Sequence, residues 1–142
     1  MTPINAASYI PQRPPVLMVD TFSECDTSLI ITQYTIPKDH IFVQNEQLGA
    51  AGLVENIAQT CATRIGWLNR EKPVKIGVIG SVSNLEILCF PTAGQTLITR
   101  VDVLSEIFEA TIVHAEIKCE GQLIAHCDMK VFVSDQNVAT AS

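Results

Sequence analysis

Residues 40–69 read HIFVQNEQLGAAGLVENIAQTCATRIGWLN, a polar turn running into the one long helical pattern of the chain. Across positions 48–69 the apolar residues Leu53, Val54, Ile57, Ala58, Cys61, Ala62, Ile65 and Leu68 recur at spacings of three and four, the period of a buried helix face. Ala50, Ala51, Gly52, Ala58, Ala62 and Gly66 put small residues on more than one side. That suits a helix wrapped closely by other structure rather than one lying on a surface. A single carboxylate, Glu55, falls among the apolar positions, where a sheet packed on the helix encloses it partly or wholly.

Outward from the helix, almost everything reads as strand. Before it, IPQRPP is extended or turn-like because proline stops a helix. VLMVDTFSEC and SLIITQYTI, separated by Asp26 and Thr27, read as adjacent antiparallel strands rich in β-branched residues. After it come IGVIGSVSNLEIL, QTLITRVDVLSEIF, EATIVHAEIKCE and QLIAHCDMKVFVSD, four strand-like stretches with turn signals between them. The tail, about residues 135–142, is expected to fray. The order is two strands, one long helix and four antiparallel strands. This predicts a single α+β domain over 1–142, with a curved sheet around a central helix.

Composition narrows the chemistry. With 142 residues, 47% apolar and 17% charged, the chain has an ordinary core and a mean hydropathy of +0.26, greasy enough to suggest a buried oligomer interface. A net charge of −6 with nine Lys and Arg argues against nucleic acid as a partner. No apolar run is long enough to span a membrane, and the N-terminus lacks a secretory pattern, so a cytoplasmic location is expected. Cys25, Cys61, Cys89, Cys119 and Cys127 are odd in number and widely spaced, which fits reduced thiols. The apolar settings of Cys61, Cys89 and Cys127 fit small buried hydrophobes better than nucleophiles. None of the three histidines lies at zinc-ligand spacing to a cysteine pair. Arg64, Arg70, Lys72 and Lys75 form the one basic concentration. It either complements the helix dipole or docks an acidic carrier or a nucleotide phosphate.

Four stretches in this order resemble the hot-dog fold of 3-hydroxyacyl-[acyl-carrier-protein] dehydratases. IPQRPPVLMVD is similar to that family's opening L-P-H-R-x-P-x-L-L-V-D, with Gln12 where the family often has His. VENIAQ resembles the E-A-M-A-Q of its central helix, IGSVSNLEILCFPTAGQTL its middle strands, and EIKCEGQLIAHCDMKVFV its closing hairpin. The loop before the helix departs from the pattern. The family's F-F-x-G-H-F-P followed by P-x-M-P-G-V-L is shortened here to HIFVQNEQLGAAGLVE. Aligning IF with the paired phenylalanines puts Asn45 where the histidine belongs, with His40 upstream. A loop of this kind resembles dehydratase-like proteins of polyene-type lipid pathways.

The resemblance implies elimination of water from a 3-hydroxyacyl thioester carried by acyl-carrier protein or coenzyme A, without metal or organic cofactor. That reaction needs a base at C2, an acid for the C3 hydroxyl and polarisation of the thioester carbonyl. Glu55 is the natural acid, since an apolar setting favours a proton-carrying carboxyl. Helix-start N–H groups around Gly49 and Gly52 can polarise the carbonyl, and Gln59 and Gly80 join them as substrate-binding candidates. His40 is a candidate base. Asn45 can orient water or bind the thioester oxygen, whereas His114 and His126 fall on late strands. Two other readings stay open: an acyl thioesterase using Glu55 with Asn45, and a non-catalytic subunit that binds an acyl chain or an active hot-dog partner. In each case a dimer or larger oligomer is expected. Its acyl tunnel would run beside the helix near Ile57, Cys61 and Leu85.

Overall fold

The computed structural model describes residues 2–73 and 75–135. The helix, α1, runs from Ala50 to Leu68. The strands are β1 (Ile4–Asn5), β2 (Thr21–Cys25), β3 (Leu29–Thr35), β4 (Val43–Gln44), β5 (Gln47–Leu48), β6 (Lys75–Ile87), β7 (Thr96–Ile107), β8 (Ala110–Cys119) and β9 (Gln122–Asp135). Seven of them form one antiparallel sheet in the order β1-β2-β3-β7-β8-β9-β6, and β4 and β5 form a separate small hairpin. This is the hot-dog arrangement, with α1 packed on β3, β6, β7 and β9.

Alternation along the strands decides which face meets the helix, because successive side chains leave a strand on opposite sides. Ile30, Thr32 and Tyr34 on β3, Leu97, Thr99 and Val101 on β7, Val113, Ala115 and Ile117 on β8, and Cys127, Met129 and Val131 on β9 are all buried. They close on Leu53, Ile57, Cys61 and Ile65 of α1 to make the core. On the opposite face of β8 and β9, His114 bonds both Asp128 (2.8 Å) and Glu116 (3.2 Å) across and along the strands.

The helix also buries a polar stripe. Asn56 Nδ2 donates to Met18 O (2.8 Å) and Asn56 Oδ1 accepts from Thr99 Oγ1 (2.6 Å). Thr60 Oγ1 donates to Asn56 O and lies 2.8 Å from Thr32 Oγ1. Each of these groups is satisfied, as a buried polar group must be to avoid a penalty of order 1–3 kcal/mol.

Two expectations changed. The strand read from residue 16 begins only at Thr21. Residues 16–18 are held by side chains instead, with Met18 N donating to Gln59 and Met18 O accepting from Asn56, and no sheet ladder competes with them. The expected frayed tail lies outside the described residues, except that Asp135 ends β9.

Among the described residues β6, one of the two edge strands of the sheet, has β9 on one side only and exposes Val78, Ile79, Val82 and Leu85. A strand of 13 residues with an apolar exposed face and unpaired backbone groups invites a further strand.

Candidate active site

The approach to α1 is a tight hairpin. Asn45 (φ 52°) and Glu46 (φ 64°) both take the left-handed conformation of a two-residue turn between β4 and β5. Asn tolerates that conformation better than most residues, which accounts for it here. Its side chain is exposed at the tip, and among the described residues no hydrogen bond joins it to Glu55. Gly49 is the N-cap. Its N–H donates to Phe42 O (3.3 Å) and its carbonyl accepts from Leu53 N. No side chain caps the helix, so the N–H groups of Ala50, Ala51 and Gly52 have no intrahelical acceptor. Gly52 itself is tied to packing, because a Cβ there would lie 2.8 Å from Leu48 Cγ and 3.1 Å from Phe42 Cβ.

One turn further on, Glu55 is half-buried and faces a groove of about 290 Å³. Gln12, Ala58, Ala62, Gly77 and Ile79 supply other parts of its wall. The small side chains of Ala58 and Ala62, one and two turns after Glu55, make the room. Gln59 Nε2 donates to Glu55 Oε1 (2.9 Å) and to Val16 O (3.0 Å), while Gln59 Oε1 accepts from Met18 N (2.6 Å). Gln59 is thus a buried clamp that aims the carboxyl and ties residues 16–18 to the helix. Its polar atoms bond to protein, while its side chain also lines the groove that Glu55 faces. Gln59→Leu keeps the volume but strands Met18 N–H and Val16 O; urea unfolding should show a loss of about 3 kcal/mol, the combined cost of those unpaired groups.

His40 is buried, with 7% of its surface exposed, between the rings of Tyr34 and Phe42. Phe42 N–H donates to Nδ1 (3.1 Å). Nε2 is turned toward the backbone of Val16 and Leu17 without closing a hydrogen bond. Burial pushes the imidazole pKa below its usual 6.5, so the ring is neutral near pH 7. His40 does not line the groove that Glu55 faces. Gln12 Oε1, on the groove wall, is likewise buried without a partner.

The remaining candidates separate. Gly80 sits at a bulge of β6 where a Cβ would strike the Phe132 ring, so its smallness serves packing. His114 and His126 lie on the outer sheet face with their carboxylate partners. Ile57 is in the core and Leu85 is exposed on β6; neither lines the groove. Burial pushes the Cys61 thiol up to about 12 and Cys127 up to about 11, which disfavours a thiolate nucleophile. The basic concentration disperses. Arg64 turns inward, donating to Asp26 O, Thr27 O and Glu106 Oε1, and Arg70 stacks 3.9 Å over Trp67. The side chain of Lys75 lies outside the described residues. Among the described residues no group of His, Cys, Asp and Glu is arranged to hold a metal, and no helix is long and apolar enough to cross a membrane.

Asn56 and Thr99 are the residues that the sequence reading missed. The signal was an amide beside Glu55 on an otherwise apolar helix, and it pointed to a buried partner.

A family model described as ApeP-like, ApeP dehydratase, matches residues 4–141. No curated protein sequence matches the chain. Among solved structures, the dehydratase heterocomplex ApeI:P from Xenorhabdus doucetiae superposes with a TM-score of 0.87 at 16% identity, over 97% of this chain and 96% of that one. A hypothetical thioesterase from Streptococcus pneumoniae with coenzyme A gives 0.66 at 11% identity, over 81% and 85%. The E. coli PaaI protein from the phenylacetic acid degradation operon gives 0.62 at 14%, over 78% and 80%. At these identities the superpositions speak for the fold alone.

Proposed function

Because the chain belongs to the ApeP-like dehydratase family, we propose that it removes water from a 3-hydroxyacyl thioester at a site shared between two hot-dog chains. Glu55 is the acid that gives the leaving C3 hydroxyl its proton. The observation that carries this reading is the Glu55 carboxyl, held by Gln59 and facing a groove of about 290 Å³. The uncapped N–H groups of Ala50, Ala51 and Gly52 lie at the positive end of the helix dipole, where they can hold the thioester oxygen.

The base comes from across the interface. His40 of the same chain does not share the Glu55 groove, whereas the open β6 edge borders that groove through Gly77, Val78 and Ile79. A second hot-dog chain joined along β6 therefore closes the groove and can bring an imidazole to it. In a homodimer that imidazole is His40 of the other copy. In a heterocomplex of the kind solved from Xenorhabdus doucetiae, it belongs to the other hot-dog chain. A ring that accepts at Nδ1 keeps its proton on Nε2, so substrate binding has to release His40 from the Phe42 N–H before it takes the C2 proton. The substrate rides on acyl-carrier protein or coenzyme A, and we place the reaction in the cytoplasm, where the five free cysteines remain reduced.

The test is hydration of a 2-enoyl thioester, the reverse reaction, by the chain alone and mixed with a second hot-dog dehydratase chain. Loss of enoyl absorbance supports the proposal. Release of free thiol from a saturated acyl thioester points to a thioesterase, and neither reaction in either sample refutes catalysis by this chain. The pH profile adds a sign. In the dehydration direction, with a 3-hydroxyacyl thioester as substrate, a base whose pKa burial lowers must be neutral, so the acidic limb of a His40-dependent kcat/KM should have its midpoint below pH 6.5. An acidic limb with its midpoint above pH 7 would exclude His40 as the base.

A further inference from the structure

Among the described residues, the groove that Glu55 faces has few side chains able to hydrogen-bond a ligand. Ala58, Ala62, Gly77, Val78, Ile79 and Val131 offer none. The others on its wall are Gln12, Glu55 and Gln59, and Gln59 is committed to Glu55, Val16 and Met18. That leaves Gln12 beside the acid itself as the polar side chain available to a ligand. Its backbone is tied down, since Ile10 is buried and Arg13 Nη1 donates to Ile10 O and to Gln12 O, each at 2.7 Å. Its amide is not, for Gln12 Oε1 is enclosed and accepts from nothing. An enclosed carbonyl oxygen without a donor costs stability in the free protein, and a ligand O–H supplies the missing partner.

We propose that Gln12 Oε1 accepts the hydrogen of the substrate's C3 hydroxyl and so orients the leaving group for Glu55. This rests on the 3-hydroxyacyl reading of the groove. A hydroxyl has one hydrogen and two lone pairs. Glu55 can protonate it only on a lone pair, so the hydroxyl's own hydrogen has to point to some other acceptor. When the C3–O bond breaks, its electron pair leaves with the oxygen, which carries the Glu55 proton and departs as water still donating to Gln12. The C2 proton passes to the base, and its bonding pair becomes the second bond between C2 and C3. Gln12 exchanges no proton; it is a positioning residue that touches the reacting oxygen. Two fixed anchors on one hydroxyl also select the configuration at C3, because with the acyl chain laid in the groove one enantiomer reaches both and its mirror image does not.

The experiment reads binding with turnover blocked. Both enantiomers of 3-hydroxyoctanoyl-coenzyme A, and octanoyl-coenzyme A, are titrated calorimetrically into assembled protein carrying Glu55→Gln. Adding Gln12→Met, which keeps the length and removes the acceptor, should weaken the preferred enantiomer about tenfold while octanoyl-coenzyme A stays within about twofold. The preference between enantiomers should shrink accordingly. Gln12→His, whose neutral ring again offers an acceptor, should recover most of the loss. The melting temperature of ligand-free Gln12→Met should not fall, because the oxygen it removes bonds nothing in the free protein. A variant that melts markedly lower or does not fold shows that Gln12 serves the fold instead and overturns the proposal. An unchanged ratio of hydroxylated to saturated affinity overturns the role of Gln12 and leaves the reading of Glu55 standing, whereas failure of all three thioesters to bind overturns both.

Discussion

Glu55→Gln should lower the rate of enoyl-thioester hydration by about 10³-fold, the loss typical of removing a general acid or base, while the protein remains folded. Glutamine preserves the shape and still offers an oxygen to Gln59 Nε2, which now donates to Glu55 Oε1 at 2.9 Å. What it lacks is a carboxylate that can take the proton from the attacking water and return it to the departing hydroxyl in the forward direction. The melting temperature should therefore stay within a few degrees of wild type, and KM should change far less than kcat. A variant retaining more than a tenth of the activity would remove Glu55 from the chemistry. His40→Ala completes the comparison. If the sample is a homo-oligomer it should be as inactive as Glu55→Gln, whereas in a heterocomplex whose other chain supplies the imidazole it should keep most of its rate.

Gly66→Ala should be the most destabilising small substitution in the chain, costing about 3 kcal/mol or more because overpacking here cannot relax. The added methyl falls on the carbonyl oxygen of Tyr9, so backbone rather than a flexible side chain has to move. Tyr9 is fixed in turn, its ring edge-on to Trp67 at 5.1 Å and to Phe22 at 5.8 Å. The strain therefore passes into the packing of the N-terminal segment on the end of the helix. For a chain of this size such a loss lowers the melting temperature by roughly 10 °C. Gly49→Ala is the contrast, since nothing lies within 4 Å of the methyl it would add. Calorimetry showing equal losses for the two would mean that the segment around Tyr9 does not pack as described.

The parts of this fold legible in the sequence are those governed by local periodicity. The three- and four-residue spacing gave α1 nearly to its ends, and alternation gave the four late strands, QLIAHCDMKVFVSD to the residue. Glu55 was legible because a carboxylate on an apolar helix face calls for an explanation. What escaped notice depends on partners far away in the chain. Residues 16–20 have strand-like side chains, but two helix amides some forty positions later claim the Met18 backbone. Asn45 looked like a histidine replacement when judged by alignment, yet its backbone conformation makes it a turn residue. Arg64 was grouped with surface charges, although its acceptors, the carbonyls of Asp26 and Thr27, are visible only once β2 and β3 close beside the helix.

The polar stripe under the helix bears on how such a site can change over time. Oily contacts have no preferred direction, so a helix resting on them alone can swivel on its axis at little cost. The bonds from Asn56 to Met18 and Thr99, and from Thr60 to Thr32, are directional. They fix the azimuth of Asn56 and, about 100° around the helix, that of Glu55. With its bearing anchored from below, the acid keeps pointing into the groove even when wall residues such as Ala58, Ala62 or Gly77 are exchanged. Substrate range can drift while the proton donor stays aimed.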